Sequence, residues 1–214
     1  MKMCETPDLA ISGLIYDCDG VLFESHEANL AYYNAILTHL GEPSIQRSET
    51  AKVRLCHTAS SPVVLETLLG AERISEAMAC AAGLDYRQFI PYMQPEPGLC
   101  KSLADLSRKI PLAVATNRGD SMGEILEHFG LSSYFQVVVT SRDVDRPKPY
   151  PDMLLLAARQ LGIPTEKLMF VGDSELDREA ARSAGIRFAA YKGWDAACIQ
   201  VRGHEDLVAM LRAS

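Results

Sequence analysis

The sequence predicts an α/β fold: a doubly wound parallel sheet interrupted early by a helical insertion. Three observations predict it. A strand-like run ending at Tyr16 delivers Asp17 and Asp19, then Gly20, where the chain must leave the sheet. From Glu24 to Pro97 the pattern is helical, with no convincing strand. From Leu99 onward, short runs of β-formers alternate with helical stripes, as in a parallel sheet covered on both faces.

Within the insertion, Ala28, Ala31, Tyr32, Ala35, Ile36 and Leu40 form one helical stripe, closed by Gly41 and Pro43. Further helices are expected over Pro62 to Leu69, ending at Gly70, and over Ser75 to Ala82, ending at Gly83. A shorter one is expected from Tyr86 to Tyr92. Beyond it, Leu99 to Leu106 reads as a helix and Pro111 to Ala115 as a buried strand. The next helix, Asp120 to Phe129, should be capped by Asp120 and stopped by Gly130. Phe135 to Val139 reads as a strand, and Pro151 to Leu161 as a helix with proline first and Gly162 just past its end. Leu168 to Val171 (strand), Glu175 to Ala184 (helix) and Ile186 to Ala190 (strand) follow. Cys198 to Val201 closes the sheet before a helix over Glu205 to Leu211.

Composition bounds the function. A chain of 214 residues with 48% hydrophobic and 23% charged residues has material for a core and is not of disordered type. A net charge of −7 without an arginine-rich run argues against nucleic acid as a partner. The six cysteines show neither CxxC pairs nor zinc spacing and read as thiols of a reducing cytosol. Met1 to Ser12 lacks the apolar core of a signal peptide, and no apolar run reaches membrane-spanning length, so a cytoplasmic location is expected. Monomer and homodimer are equally open.

Ligands of such a sheet bind beyond the carboxyl ends of its strands, so the polar residues there are the candidates. They are Asp17 and Asp19; Thr116, Asn117 and Arg118; Lys148; and Asp173 and Asp177. Extended backbone sends residues i and i+2 to one side, so Asp17 and Asp19 can face one small volume. Alone, that stretch reads as an ordinary strand-to-turn junction, where Asp and Gly are favoured. The remaining chain changes this reading. If these groups converge, four carboxylates meet a threonine hydroxyl, an amide and an ammonium.

The ordered motifs DxDG at Asp17 to Gly20, Thr116-Asn117, Lys148-Pro149 and GDxxxD at Gly172 to Asp177 resemble the haloacid dehalogenase superfamily. The similarity is to its phosphoglycolate phosphatase and β-phosphoglucomutase-like branch, and covers nearly the whole chain. It implies a Rossmann-like core formed by residues 1–23 and 98–214, with an all-helical cap domain at 24–97. It also implies a Mg²⁺-dependent phosphatase acting on a small phosphomonoester through an aspartyl-phosphate. Asp17 would then be the nucleophile, Asp19 the general acid and base, and Lys148 the partner of nucleophile and phosphoryl oxygen. Thr116, with Asn117 and Arg118, would bind phosphate. Asp17, the Asp19 carbonyl and Asp173 would hold the metal, with Asp177 ligating directly or through water.

Crowding by the other carboxylates is expected to raise the Asp19 pKa. Arg54 and His57 are candidates for a substrate's polar tail; a solvated helix face accounts for either one alone. A phosphomutase is the alternative reading, weakened because Asn29 stands where related mutases carry a histidine. A phosphorylation-operated signalling domain is a more distant one, since receivers are shorter and have no helical insert. Cys18, Met93 and Trp194 are assigned to packing.

Overall fold

The computed structural model describes residues 11–193, 195 and 198–211. Trp194, whose packing was expected, lies outside the described residues. In chain order the elements are β1 (Gly13–Tyr16), β2 (Phe23–Glu24), α1 (His26–His39), α2 (Thr50–Thr58), α3 (Ser61–Leu69), α4 (Ile74–Gly83) and β3 (Gln94–Pro95). They continue with α5 (Leu99–Leu106), β4 (Leu112–Ala115), α6 (Ser121–His128), β5 (Val137–Val139), α7 (Asp152–Leu161) and β6 (Leu168–Gly172). Last come α8 (Glu175–Ala184), β7 (Arg187–Tyr191), β8 (Ile199–Val201) and α9 (His204–Met210).

The main sheet runs β5-β4-β1-β6-β7-β8 and every pairing in it is parallel. The chain winds outward from β1 through β4 to β5, then returns to lay β6 on the other side of β1. This reversal opens a crevice at the carboxyl end of β1, where doubly wound sheets bind ligands. The two-residue period of β1 decides which helices it touches. Leu14 and Tyr16 face the cluster containing Leu103, Leu106, Ile125 and Leu207, whereas Ile15 faces Met153, Leu154, Ala180 and Ala181. Helices α5, α6 and α9 therefore cover one face, and α7 and α8 the other.

The helical insertion has its own cluster, with Leu30, Tyr33, Ile36, Leu37, Cys56, Val64, Leu65 and Ala77 buried together. Helix α1 packs on two sides. Leu30, Tyr33 and Leu37 belong to the insertion's cluster, while Ala28, Ala31 and Ala35 face the main core. The single expected stripe captured only part of this burial, because a helix wedged between two bodies does not show one apolar face.

Three elements depart from expectation. The strands β2 and β3 pair antiparallel where the chain leaves and re-enters the core, and at two residues each they are too short to show a period. Helix α2 was unforeseen: only Cys56 and His57 on it are buried, so no apolar stripe marks it. The expected helix from Tyr86 to Tyr92 is two 3₁₀ turns, Tyr86–Gln88 and Ile90–Tyr92. Asp120 precedes α6 but its side chain caps nothing; the carboxylate pairs with Arg142 at 3.0 Å. Among the described residues no helix is long and apolar enough to cross a membrane.

Candidate active site

The backbone of β1 continues its ladder one residue further, the Asp17 N–H donating to the Val171 carbonyl at 2.9 Å. The chain then doubles back: the N–H groups of Leu22 and Phe23 both donate to the Cys18 carbonyl. Gly20 makes this turn with φ of +73°, and a Cβ there would strike the Asp173 carboxylate. Glycine is required on both counts. His204 braces the loop through Nε2, 2.8 Å from the Val21 carbonyl.

At the carboxyl end of β6, Ser174 caps α8. Its hydroxyl accepts from the Asp177 N–H, and Asp177 Oδ2 accepts in turn from the Ser174 N–H and hydroxyl. The other Asp177 oxygen meets Lys148 Nζ at 2.7 Å, and Nζ also contacts Asp17 Oδ1 at 2.7 Å. Asn117 fixes the lysine from behind: its Oδ1 accepts from the Lys148 N–H at 3.0 Å and its Nδ2 donates to the Lys148 carbonyl at 3.1 Å. The same amide donates to the Thr58 carbonyl in the insertion at 3.0 Å. The Asn117 side chain is thus spent on positioning Lys148 rather than on phosphate, as had been expected. Thr116 is fully buried, and its hydroxyl oxygen accepts from the Arg118 N–H at 3.2 Å. Its hydroxyl proton stays available for an anion.

Carboxylate oxygens of Asp17, Asp173 and Asp177 lie within 4.8 Å of one another. Burial first, then Asp177 and Asp19, push the Asp17 carboxyl up to about 7 even though Lys148 opposes the shift. Burial and the charges of Asp177 and Asp17 push Asp173 up to about 8. Burial alone would lower the Lys148 pKa, but Asp17 and Asp177 hold the ammonium charged. Fully ionised, three carboxylates against this one ammonium would carry an excess of two negative charges, which a divalent cation of oxygen preference would neutralise and without which protons are retained. The residues fit such an ion, Asp17, Asp173 and Asp177 each offering one carboxylate oxygen. The Asp177 oxygens also accept from Lys148 and Ser174, so this residue positions the lysine at the edge of the same carboxylate cluster.

Asp19 points into different surroundings. Its Oδ1 accepts from Arg118 Nη2 at 2.5 Å, from Asn29 Nδ2 at 2.9 Å and from the Ser25 hydroxyl. Burial raises its pKa, but Arg118 and His57, with the hydrogen bonds from Arg118 and Ser25, more than reverse this and hold it at about 2. The expectation of a raised pKa is overturned, because the neighbour that dominates is a guanidinium. Arg118, expected on phosphate, donates to Asp19, to Asn29 Oδ1 at 2.7 Å and to the Tyr86 hydroxyl at 2.5 Å. Ser25 and Tyr86 escaped the sequence reading. Tyr86 had figured only as the start of an expected helix.

The insertion also contributes His57, buried and stacked on His26 with ring centroids 3.5 Å apart. Glu24 is turned away from the carboxylates, accepting from the His26 N–H at 3.0 Å and contacting its ring at 2.7 Å. Arg54 is exposed on the rim of a cavity of about 350 Å³ that is also lined by His57 and Asp173. A larger cavity of about 670 Å³ lies between insertion and core, bordered by Asp19, Asn29, His57, Tyr86 and Arg118.

Residues 14–191 match the sequence pattern of the haloacid dehalogenase-like hydrolases. The chain belongs to that family. A structure of a haloacid dehalogenase-superfamily hydrolase of subfamily IA from Geobacter sulfurreducens is 38% identical, with a TM-score of 0.83, over 94% of this chain and 99% of that one. The phosphoglycolate phosphatase of Escherichia coli is 40% identical over 91 residues, which is 42% of this chain and only 36% of the relative's length. A phosphorylated carbohydrates phosphatase of Thermotoga maritima is 27% identical over 178 residues, 82% of each chain. The fold therefore matches a family whose sequence resemblance was already legible in the four motifs.

Proposed function

We propose that this protein is a Mg²⁺-dependent phosphatase that hydrolyses a small phosphomonoester through a phosphoryl group carried on Asp17. The observation that carries the reading is the Asp17 carboxylate, held 2.7 Å from Lys148 inside a cluster suited to a divalent ion. The activities named for the two phosphatase relatives support it. Residues 24–97 serve as a cap over a core formed by the remaining chain.

A carboxylate approaching a phosphate dianion is opposed by about 4 kcal/mol per pair of unit charges at 4 Å and an effective dielectric constant of about 20. Lys148 offsets part of this; Asp17, Asp173 and the Asp19 carbonyl would hold a Mg²⁺ ion, which when bound would supply the remaining charge neutralisation. The Thr116 hydroxyl donates to a phosphoryl oxygen. Asp17 Oδ attacks phosphorus, the ester P–O bond breaks, and the leaving oxygen takes a proton from Asp19. A water that loses its proton to Asp19 then attacks phosphorus, releasing phosphate and restoring the Asp17 carboxylate. In the free protein Arg118 keeps Asp19 charged, so Asp19 gains its proton as substrate binds. A substrate oxygen that draws the guanidinium away raises the Asp19 pKa in the same movement. Asn29 donates its amide to Asp19 and cannot shuttle a proton, which favours hydrolysis over a mutase reaction.

The test is phosphate release from a panel of phosphomonoesters, with Mg²⁺ or with chelator, for wild type, Asp17→Asn and Asp19→Asn. Asp17→Asn should lose three orders of magnitude or more, roughly the scale of losing a nucleophile. Asp19→Asn should fall roughly 10²- to 10⁴-fold on alkyl phosphates and much less on nitrophenyl phosphate, whose leaving group needs no proton. Release that survives in Asp17→Asn or in chelator overturns the reading.

A further inference from the structure

The Nε2 atom of His57 is buried and has no hydrogen-bond partner among the described residues, an expensive condition in a side chain only 5 % exposed. Its orientation and proton can be deduced from neighbouring contacts. The Asn29 carbonyl oxygen faces two donors, Arg118 Nη2 at 2.7 Å and the Tyr86 hydroxyl at 3.4 Å. An arginine can only donate, so the amide cannot be flipped, and Asn29 must present its NH₂ to Asp19 and to His57 Nδ1 at 3.3 Å. His57 Nδ1 is therefore an acceptor, and the ring proton sits on Nε2. A nitrogen that carries a proton cannot ligate a cation, although this one lies 3.9 Å from Asp173 Oδ2. That distance is also too long for a hydrogen bond.

His57 thus offers a fixed, unused N–H at the edge of the carboxylate cluster. It forms part of the wall of both the 670 Å³ and the 350 Å³ cavities, and stacking on His26 holds the ring plane in place. We propose that His57 is a substrate-binding residue whose Nε2–H, aimed by the chain Arg118–Asn29, donates to an oxygen of the bound phosphoryl group. The inference rests on the phosphatase reading and deepens it: the insertion contributes its own anion donor, so binding of the phosphoryl group and seating of the insertion on the core reinforce each other. Asn29 is a positioning residue, acting through the imidazole.

The test combines kinetics with nitrogen NMR on the full chain in Mg²⁺. His57→Phe keeps the ring and its stacking but removes the donor. It should raise KM and the inhibition constant of inorganic phosphate roughly ten- to a hundredfold, the scale of a hydrogen bond to a charged group. Its Mg²⁺ activation constant should stay unchanged. In wild type, long-range ¹H–¹⁵N spectra should show His57 protonated on Nε2, with that proton shifting downfield on saturation with inorganic phosphate. Unchanged phosphate inhibition, a shift in the Mg²⁺ constant alone, or a proton found on Nδ1 would each overturn the proposal. Wild-type protein that releases no phosphate from any ester removes both readings, whereas active wild type with an indifferent His57→Phe removes only this one.

Discussion

Two aspartates separated by one residue occupy opposite electrostatic regions of this protein. Asp17 sits among Asp173, Asp177 and Lys148, where acid outnumbers base and its carboxyl is pushed up to about 7. Asp19 sits with Arg118, Ser25 and Asn29, where every close partner donates, and is held at about 2. The core builds the first region almost alone; the second needs Asn29 and Tyr86 from the insertion. The contrast shows that carboxylates sharing a strand end need not share a fate. One region is left short of positive charge and so is ready for a cation and a phosphate. The other is complete without a ligand and must be disturbed before Asp19 can carry a proton.

The largest disturbance should come from Lys148→Met, which strips the Asp17 region of its ammonium and leaves buried carboxylates unpaired. Metal-free protein should lose about 3–5 kcal/mol in urea unfolding at neutral pH, with part restored by Mg²⁺. A variant as stable as wild type would mean that the lysine does not balance the cluster.

Arg118→Met should erase the contrast itself. Titration of ¹³C-labelled aspartate carboxyls in metal-free wild type should place Asp17 near 7 and Asp19 near 2. Without the guanidinium, burial dominates, and Asp19 should move above the ordinary value of about 3.9. An Asp19 signal that stays low in the variant would assign its charge to Ser25 and Asn29 instead.

The smallest effect concerns the brace behind the loop that separates the two regions. Burial lowers the His204 pKa from 6.5 to about 4, opposed by its contact with the Val21 carbonyl. Below about 6.5 the unfolded chain takes a proton that the folded chain refuses until about 4. Through this residue stability therefore falls as pH drops across that window, by about 1.4 kcal/mol per unit and about 3 kcal/mol in all. The stability difference between wild type and His204→Gln, followed by urea unfolding from pH 7 to 4, should show this slope. A difference independent of pH would mean that His204 titrates alike folded and unfolded.

Much of this was legible in the residues. Strand–helix alternation gave the parallel sheet, and Asp17, Lys148 and Asp173 stand together because each follows or approaches a strand end on one edge. Helix α2 and the β2–β3 ribbon were not legible, since one buries too little and the other is too short to show a period. The part Asn117 plays was hidden for another reason. Its side chain carries polar atoms that suit a ligand, and only the partners bonded to them show that those atoms are taken.

Period and turn chemistry are local properties, and they were enough to specify the sheet, the insertion and the residue types at the crevice. Tertiary structure alone decided which carboxylate is short of positive charge, which nitrogen of His57 holds the proton and what Arg118 grips. Those depend on groups tens of residues apart, whose fields and hydrogen bonds act only once burial has removed the water between them.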